Sequence, residues 1–333
     1  MKDNRIQFID IYRGIGIVFM IMGHIYFGRV FNIYIHAFHM PMFFFVSGFF
    51  YKENIPINKF IKIKIKSLII PYIIFSLICS CAYCIYNGKI YYKEILNIFW
   101  FNNNGWMPTG PMWFLTALFF ALILYRLIEY IPNVFLRNII PFIVSTLGCM
   151  LGKYYAINFP WSIFPAFVAV AFIHMGKIMK QYNTSKIMIR FQHMKIVEII
   201  LLFIISLCLI ILNGEVNMRI GIYGSIILFY LNAFLSIMIL WNICQVLNKQ
   251  SKHYFNKKIN NILKYIGKNS LTFLCLNQCL IYFYNECIII DLNVYLKKII
   301  MLVIVICSCT IINEIEKRLR LLLKNSFPSM DKL

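Results

Sequence analysis

Long apolar segments recur along the whole of this 333-residue chain, and they limit its fold more than any other feature. Each approaches the roughly 20 residues that an α-helix needs to cross a bilayer. One aqueous core cannot bury them all, since 61% of the residues are hydrophobic and only 14% are charged. Soluble domains have about half and about a quarter, respectively. We therefore predict an all-α, polytopic transmembrane helical bundle that forms a single membrane domain over residues 1–333.

The apolar segments predict about ten membrane-spanning helices, each near the length needed to cross the hydrocarbon. Their expected ranges are 8–28, 35–51, 67–86, 111–129, 138–154, 161–179, 196–212, 220–247, 270–290 and 295–316.

Basic residues are strongly biased to one side of the predicted membrane. With the N-terminus in the cytoplasm, cytoplasmic loops, tails and helix ends hold 26 of the 33 Lys and Arg residues, and the outer side holds seven. Short cytoplasmic loops of membrane proteins are rich in Lys and Arg. One missed span would move every later loop to the other side of the membrane and remove this bias. The distribution therefore predicts an even number of spans and cytoplasmic N- and C-termini. It also accounts for the net charge of +21 without a nucleic-acid partner.

The first predicted span carries three ionisable side chains, Asp10, Arg13 and His24. Such groups inside a membrane helix nearly always face protein or water. Asp10 and Arg13 are three residues apart, so they share a face and can pair. His24 follows Arg13 by eleven residues, which places it near the same face about 16 Å further along the axis. We expect Arg13 near the cytoplasmic surface and His24 toward the outer half, although a topological anchor and a packing histidine would give the same pattern.

Two more histidines, His36 and His39, lie where the chain re-enters the membrane. Because a short turn joins the first two spans, these rings could cluster with His24 on the outer side. Ser47 and Gly48, further along the second span, are small enough to permit close helix contact. No metal is expected, since there is no HxxxH or HExxH pattern and no carboxylate nearby on the same helix.

These two spans resemble the membrane-bound type 3 acyltransferases, which include O-acetyltransferases of bacterial surface polysaccharides. An Arg and a His with ten residues between them are the hallmark of that family's first helix. The matching residues here are Asp10-x-x-Arg13-Gly14, then His24, then the run FHMPMFFFVSGF at 38–49. Less specific matches follow at Lys66-x-x-x-x-Pro71-Tyr72, at Trp113-Phe114-Leu115, at 159–176, where the likeness is to fucose 4-O-acetylase-like members, and at 265–271.

Two positions depart from the family pattern. The motif at 265–271 often continues to a His and a polar residue, whereas this chain has Asn277 and Gln278. A proton-transfer role at that position is therefore in doubt. The acidic residue often found after the Pro-Trp of the sixth helix is replaced by Ile163 and Phe164, a change that bears on contacts with the acceptor.

The resemblance implies an O-acyltransferase, by family frequency an O-acetyltransferase, of the bacterial inner (cytoplasmic) membrane. Its donor would be cytoplasmic acyl-CoA, expected to be acetyl-CoA, and its acceptor a hydroxyl of a surface polysaccharide or sugar precursor. The implied partners are the acyl-CoA, the carbohydrate and membrane lipid.

The expected positions along the first helix, taken with this resemblance, suggest roles for individual residues. His24 would be the general base for the acceptor hydroxyl, and His39 is the second candidate for acid–base or oxyanion chemistry. Arg13 would hold the phosphates of CoA, together with Lys62 and Lys66. The expected substrate contacts are Asp10, His36 and Trp113.

Two other functions remain open from the sequence, a transporter or flippase for a polysaccharide precursor and a membrane sensor without catalysis. A transport path predicts polar residues along several helices. Here the strongly polar residues concentrate in the first two spans and near helix ends, which favours a localised site.

Overall fold

The computed structural model describes residues 7–100, 106–155, 159–182, 185–186, 189–190, 193–249, 254–287 and 293–326. These residues form helices and contain no strand, only an isolated bridge between Asn217 and Ile222, which confirms the predicted all-α bundle. The helices are α1 Gln7–Ile25, α2 Arg29–Phe49, α3 Ile57–Lys64, α4 Ile70–Asn87, α5 Tyr92–Asn97, α6 Trp113–Ile128, α7 Val134–Tyr155, α8 Ile163–Gln181, α9 Ile196–Asn213, α10 Ile226–Lys249, α11 Tyr254–Lys268, α12 Ser270–Cys287 and α13 Val294–Ser326. A π-helical turn, Ile65–Ile69, joins α3 to α4, and 3₁₀ turns precede α6 and α8.

Nine helical segments within the described ranges are long and apolar enough to cross a membrane. They correspond to nine of the ten predicted spans. The remaining span, 270–290, is the 18-residue helix α12, which is less apolar because it contains Asn277, Gln278 and Glu286. Part of the predicted cytoplasmic charge falls on residues 1–6 and 327–333, which lie outside the described residues.

Several predicted boundaries differ from the structure, and the largest differences at the start of a helix are at α2 and α10. Helix α2 begins at Arg29 rather than at 35, because Pro41 lies inside the helix and does not start it. Prolines are tolerated in membrane helices, where neighbouring groups satisfy the freed backbone. Helix α10 begins at Ile226 rather than at 220, because residues 217–222 close a tight turn in which Gly221 has a φ of 77°.

Helices α2 and α8 pack backbone to backbone at two glycines. A Cβ at Gly48 would lie 1.9 Å from the carbonyl oxygen of Ile173, and one at Gly176 would lie 2.0 Å from that of Phe45. The close contact predicted from Ser47 and Gly48 is therefore present. Since Gly48 also belongs to the run that resembles the acyltransferases, packing explains part of that run.

A similar crossing fixes the inner half of α1 against α11. A Cβ at Gly14 would lie 2.1 Å from the carbonyl oxygen of Leu263, and one at Gly267 would lie 1.9 Å from that of Asp10. Helix α11 carries both charged and apolar residues and lacks the length of a span, so it contributes one apolar face to the bundle. This contact joins two segments that the sequence motifs had marked separately.

An ion network ties the loop after α2 to α6 and α8. The Lys177 ammonium lies 2.5 Å from a Glu129 carboxylate oxygen and 3.0 Å from one of Glu53. Arg126 donates hydrogen bonds to the Tyr51 hydroxyl at 3.2 Å and to the Ile55 carbonyl at 2.5 Å. Lys177 thereby compensates the charge of a carboxylate that is largely buried.

The glycine contacts predict that even one added methyl group destabilises the bundle. Gly48→Ala and Gly176→Ala should each cost roughly 1–3 kcal/mol, because the new Cβ meets backbone that cannot rotate away. Thermal unfolding of the protein in detergent measures the loss. Gly152→Ala is the control, since its nearest neighbours would lie at an ordinary 3.6 Å. Equal melting temperatures for all three variants would contradict the predicted contact.

The ion network predicts that Lys177→Met is far more damaging than Glu53→Gln. Removing Lys177 leaves the Glu129 carboxylate, whose side chain is only 10% exposed, without its cation. Breaking a buried pair in this way costs roughly 3–5 kcal/mol. The Glu53 side chain is 47% exposed, so its own pair contributes roughly 0–1 kcal/mol. Thermal unfolding of the two variants tests this order, and equal losses would refute it.

The Glu53 pair also has a defined pH dependence. The hydrogen bond from Lys177 lowers the pKa of Glu53 below its ordinary value. The contribution of the pair is therefore fully present above the ordinary carboxyl pKa, and it is lost as the pH falls through the lowered one. The stability difference between wild type and Glu53→Gln should accordingly shrink in acid.

Candidate active site

A cavity of about 160 Å³ lies between α1, α2, α6, α12 and the loop that connects α9 to α10. The structure brings four of the predicted site residues together on its walls. The polar and aromatic side chains that line it are His24, His36, His39, Trp113, Arg219 and Gln278. The predicted clustering of three histidines is therefore observed.

Two of the histidines are oriented by the backbone of α2. The Nδ1 atom of His36 lies 2.7 Å from the Asn32 carbonyl oxygen, and that of His39 lies 2.8 Å from the Ile35 carbonyl oxygen. A carbonyl only accepts, so both Nδ1 atoms carry the hydrogen. The Nε2 atom of a neutral ring is then an acceptor. Of the two roles predicted for His39, this geometry suits acid–base chemistry and not donation to an oxyanion.

His24 is held by a residue from the other end of the chain. Its Nδ1 atom lies 2.6 Å from the Oδ1 atom of Asn277, which is completely buried on α12. Sequence reasoning treated Asn277 only as a departure from the family pattern. The sequence does contain one indication of its importance: the family motif often has a histidine at this position, and both side chains form hydrogen bonds.

Arg219 also belongs to the cavity, and sequence reasoning assigned it no role. It lies in a loop closed by two hydrogen bonds between Asn217 and Ile222, of 2.7 and 3.0 Å. Gly221 anchors this loop, because a Cβ there would lie 2.1 Å from the Gly152 carbonyl oxygen. Burial lowers the pKa of Arg219, which still stays protonated because arginine ionises far above neutral pH. The loop therefore brings a fixed positive charge to the histidines.

Gln278, next to Asn277, was likewise assigned no role by sequence reasoning. Gly110 makes room for its side chain, since a Cβ at Gly110 would lie 1.9 Å from the Gln278 amide oxygen. Gln278 therefore lines the same cavity as His24.

The other predicted site residues lie away from this cavity: Asp10 and Arg13 are in the first half of α1, and Lys62 and Lys66 are on α3 and the turn that follows it. The Arg13 guanidinium stacks 5.2 Å from the centre of the Phe50 ring, directly after α2. Lys62 on α3 and Lys66 in the π-helical turn are exposed. Asp10 is 3% exposed at the crossing of α1 and α11 and does not line the histidine cavity. Arg13 is thus separated from His24 by about 16 Å of helix.

A second cavity of about 220 Å³ adjoins the first. The two share His36 and Asn217 as wall residues. Its other polar lining comes from the turn between α1 and α2, from the first turns of α2, and from the α9–α10 loop, and it includes Tyr26, Arg29, Asn32 and Glu215. One cation, Arg29, and one carboxylate, Glu215, therefore face a polar space next to the histidines.

Metal-binding clusters are absent from the part of the chain that the structure describes: no three His, Cys, Asp or Glu residues there could jointly hold an ion.

Comparison with protein-family models matches the acyltransferase domain of acyltransferase family 3 over residues 6–314. No curated protein and no solved structure matches the chain. The matched range contains every helix that lines the cavity, together with Arg13 and the three histidines. The resemblance inferred from the first two spans is therefore confirmed, and the chain belongs to acyltransferase family 3.

Proposed function

We propose that this membrane acyltransferase transfers an acetyl group from cytoplasmic acetyl-CoA to a hydroxyl of a surface polysaccharide or its sugar precursor, in the bacterial inner membrane. The observation that carries the proposal is the cavity in which Arg219 of the α9–α10 loop meets His24 of α1 and the two histidines of α2. The other end of α1 carries Arg13. An imidazole can serve as a general base near neutral pH. A fixed cation beside it suits a reaction that develops negative charge on oxygen.

The transfer needs no covalent enzyme intermediate. The acceptor hydroxyl oxygen attacks the thioester carbonyl carbon while Nε2 of His24 takes the hydroxyl proton. The tetrahedral intermediate then collapses, the carbon–sulfur bond breaks, and the CoA sulfur leaves with the proton that His24 returns. The products are the acetyl ester and free CoA, and His24 ends as it began.

The negative charge of that intermediate requires donors, and the cavity supplies two kinds. Arg219 brings a guanidinium, and Gln278 brings an amide that can donate through its nitrogen. We assign the oxyanion to these two side chains, because the neutral ring of His39 presents an acceptor there. We assign His39 the remaining role, assistance in proton transfer.

The donor side of the proposal rests on the cytoplasmic cations. Arg13, Lys62 and Lys66 are suited to the phosphates of CoA, since guanidinium and ammonium groups bind phosphate oxygens. The pantetheine arm would have to reach His24 along α1. Gly16 lies between Arg13 and His24 on α1 and packs against Met42, whose Cε would be 2.4 Å from a Cβ there. Methionine is the most adaptable apolar side chain, so Met42 can move to admit the arm.

The acceptor side rests on the second cavity. Hydroxyl groups both donate and accept, so a sugar can satisfy the guanidinium of Arg29 and the carboxylate of Glu215 together. Both groups lie on the side opposite to Arg13, which favours an acceptor that arrives from outside. The first cavity, of about 160 Å³, is below the roughly 300–1,000 Å³ of sites for drug-sized ligands, which favours a short acyl group.

Replacing the proposed base tests the proposal directly. With proteoliposomes, labelled acetyl-CoA and surface glycan from a strain that lacks the gene, His24→Gln should slow label transfer by about 10²–10⁴-fold. His193→Gln, an exposed histidine between α8 and α9, is the control and should transfer label normally. Undiminished transfer by well-folded His24→Gln would remove His24 as the base. Glycan that crosses the membrane without label would indicate a transporter.

The assignment of Arg13 makes a separate kinetic prediction. Arg13→Ala should raise the KM for acetyl-CoA about tenfold or more, because a hydrogen bond to a charged group contributes roughly 1.5–3 kcal/mol. The KM for the glycan should stay unchanged, and Arg13→Lys should recover part of the loss. Arg318→Ala removes an exposed arginine of α13 and serves as the control. An unchanged KM for acetyl-CoA in Arg13→Ala would exclude the assigned role.

A further inference from the structure

We propose that Asn277 is the positioning residue for His24: its amide holds the imidazole with the hydrogen on Nδ1 and leaves Nε2 available to the cavity. The catalytic value of this arrangement rests on the proposed role of His24 as the base. The protonation pattern of the ring rests on geometry alone.

The first step is the orientation of the Asn277 amide. Its Nδ2 atom donates to the carbonyl oxygens of Phe273 at 2.9 Å and of Leu274 at 2.7 Å. Reversing the amide would place its oxygen against two carbonyl oxygens, in a site where the residue is fully buried. The backbone of α12 therefore fixes which end of the amide is the oxygen, and that oxygen faces His24.

The second step is the tautomer of His24. An amide oxygen can only accept a hydrogen bond, so the Nδ1 atom, 2.6 Å away, must donate it. A neutral imidazole carries one hydrogen, and Nε2 is therefore unprotonated. An unprotonated ring nitrogen is what a base for a hydroxyl group requires.

The third step is the cost of losing the partner. Without Asn277, the Nδ1 hydrogen of His24 would lose its acceptor and would point into a buried region. The ring would then gain by moving its hydrogen to Nε2 or by rotating, and either change removes the base from the cavity. Where the partner that orients a functional histidine is removed from metal sites, activity typically falls by about 10–100-fold.

The tautomer can be measured without any assay of transfer. Nitrogen-15 solid-state NMR of histidine-labelled protein in bilayers distinguishes protonated from unprotonated ring nitrogens, and His24→Gln identifies the signals of His24. We expect Nδ1 protonated and Nε2 bare in the wild type at neutral pH. The opposite tautomer in the wild type would overturn the proposal.

Variants of Asn277 then test its positioning role. Asn277→Leu keeps a similar shape but removes the acceptor. It should populate the Nε2-protonated tautomer of His24 and lower kcat about 10–100-fold with the KM for acetyl-CoA unchanged. Asn277→Asp keeps an acceptor for Nδ1 and should restore the tautomer and much of kcat. An unaltered tautomer in Asn277→Leu, or unaltered kcat despite an altered tautomer, would overturn the proposal.

Asn313→Leu is the matched control. Asn313 is also a buried amide, 5% exposed, but it donates to the Tyr265 hydroxyl away from the cavity. It should leave the His24 signals unchanged even if it destabilises the protein. His24→Gln could retain full activity while Asn277→Leu still changes the tautomer of His24. The proposed function would then be wrong, but the pairing of His24 with Asn277 would be supported.

Discussion

Backbone-to-backbone contact at glycines is the constraint on which the arrangement of the site depends. Gly14 and Gly267 let α1 and α11 cross, and Gly48 and Gly176 let α2 and α8 cross. Each of the first two helices therefore has its own rigid partner. Since α1 and α2 are also joined by a short turn, packing and connectivity fix their outer ends relative to each other without any contact between the histidines. The packing of the helices therefore determines where the histidines lie.

The residues that resemble the acyltransferase family therefore have two kinds of role: some pack helices together, and others line the proposed site. In the Arg13-Gly14 pair, the glycine admits α11 while the arginine lies over the Phe50 ring near the end of α2. Gly48 admits α8, while His39, on the same helix, lines the cavity. A motif that mixes structural and chemical residues cannot be assigned to catalysis as a whole.

The fold was largely predictable because a bilayer demands long apolar helices, and their lengths are visible in one sequence. The histidine cluster was predictable because the turn between α1 and α2 is too short to separate them. The contribution of Arg219 was not predictable, since it depends on a loop anchored on α7 at Gly152. Nor was the pairing of His24 with Asn277, which are 253 residues apart. Such contacts depend on which helices are neighbours in space, and the pattern of apolar residues along the sequence does not show this.

Asn277 also shows why a departure from a family pattern need not mean a lost function. A histidine at that position can donate or accept according to its tautomer, whereas an amide has one fixed donor end and one fixed acceptor end. Here the carbonyls of Phe273 and Leu274 occupy the donor end, so the acceptor end is left for His24. The backbone of α12 thus determines the tautomer of a ring on α1, and it does so through a side chain that does not itself titrate.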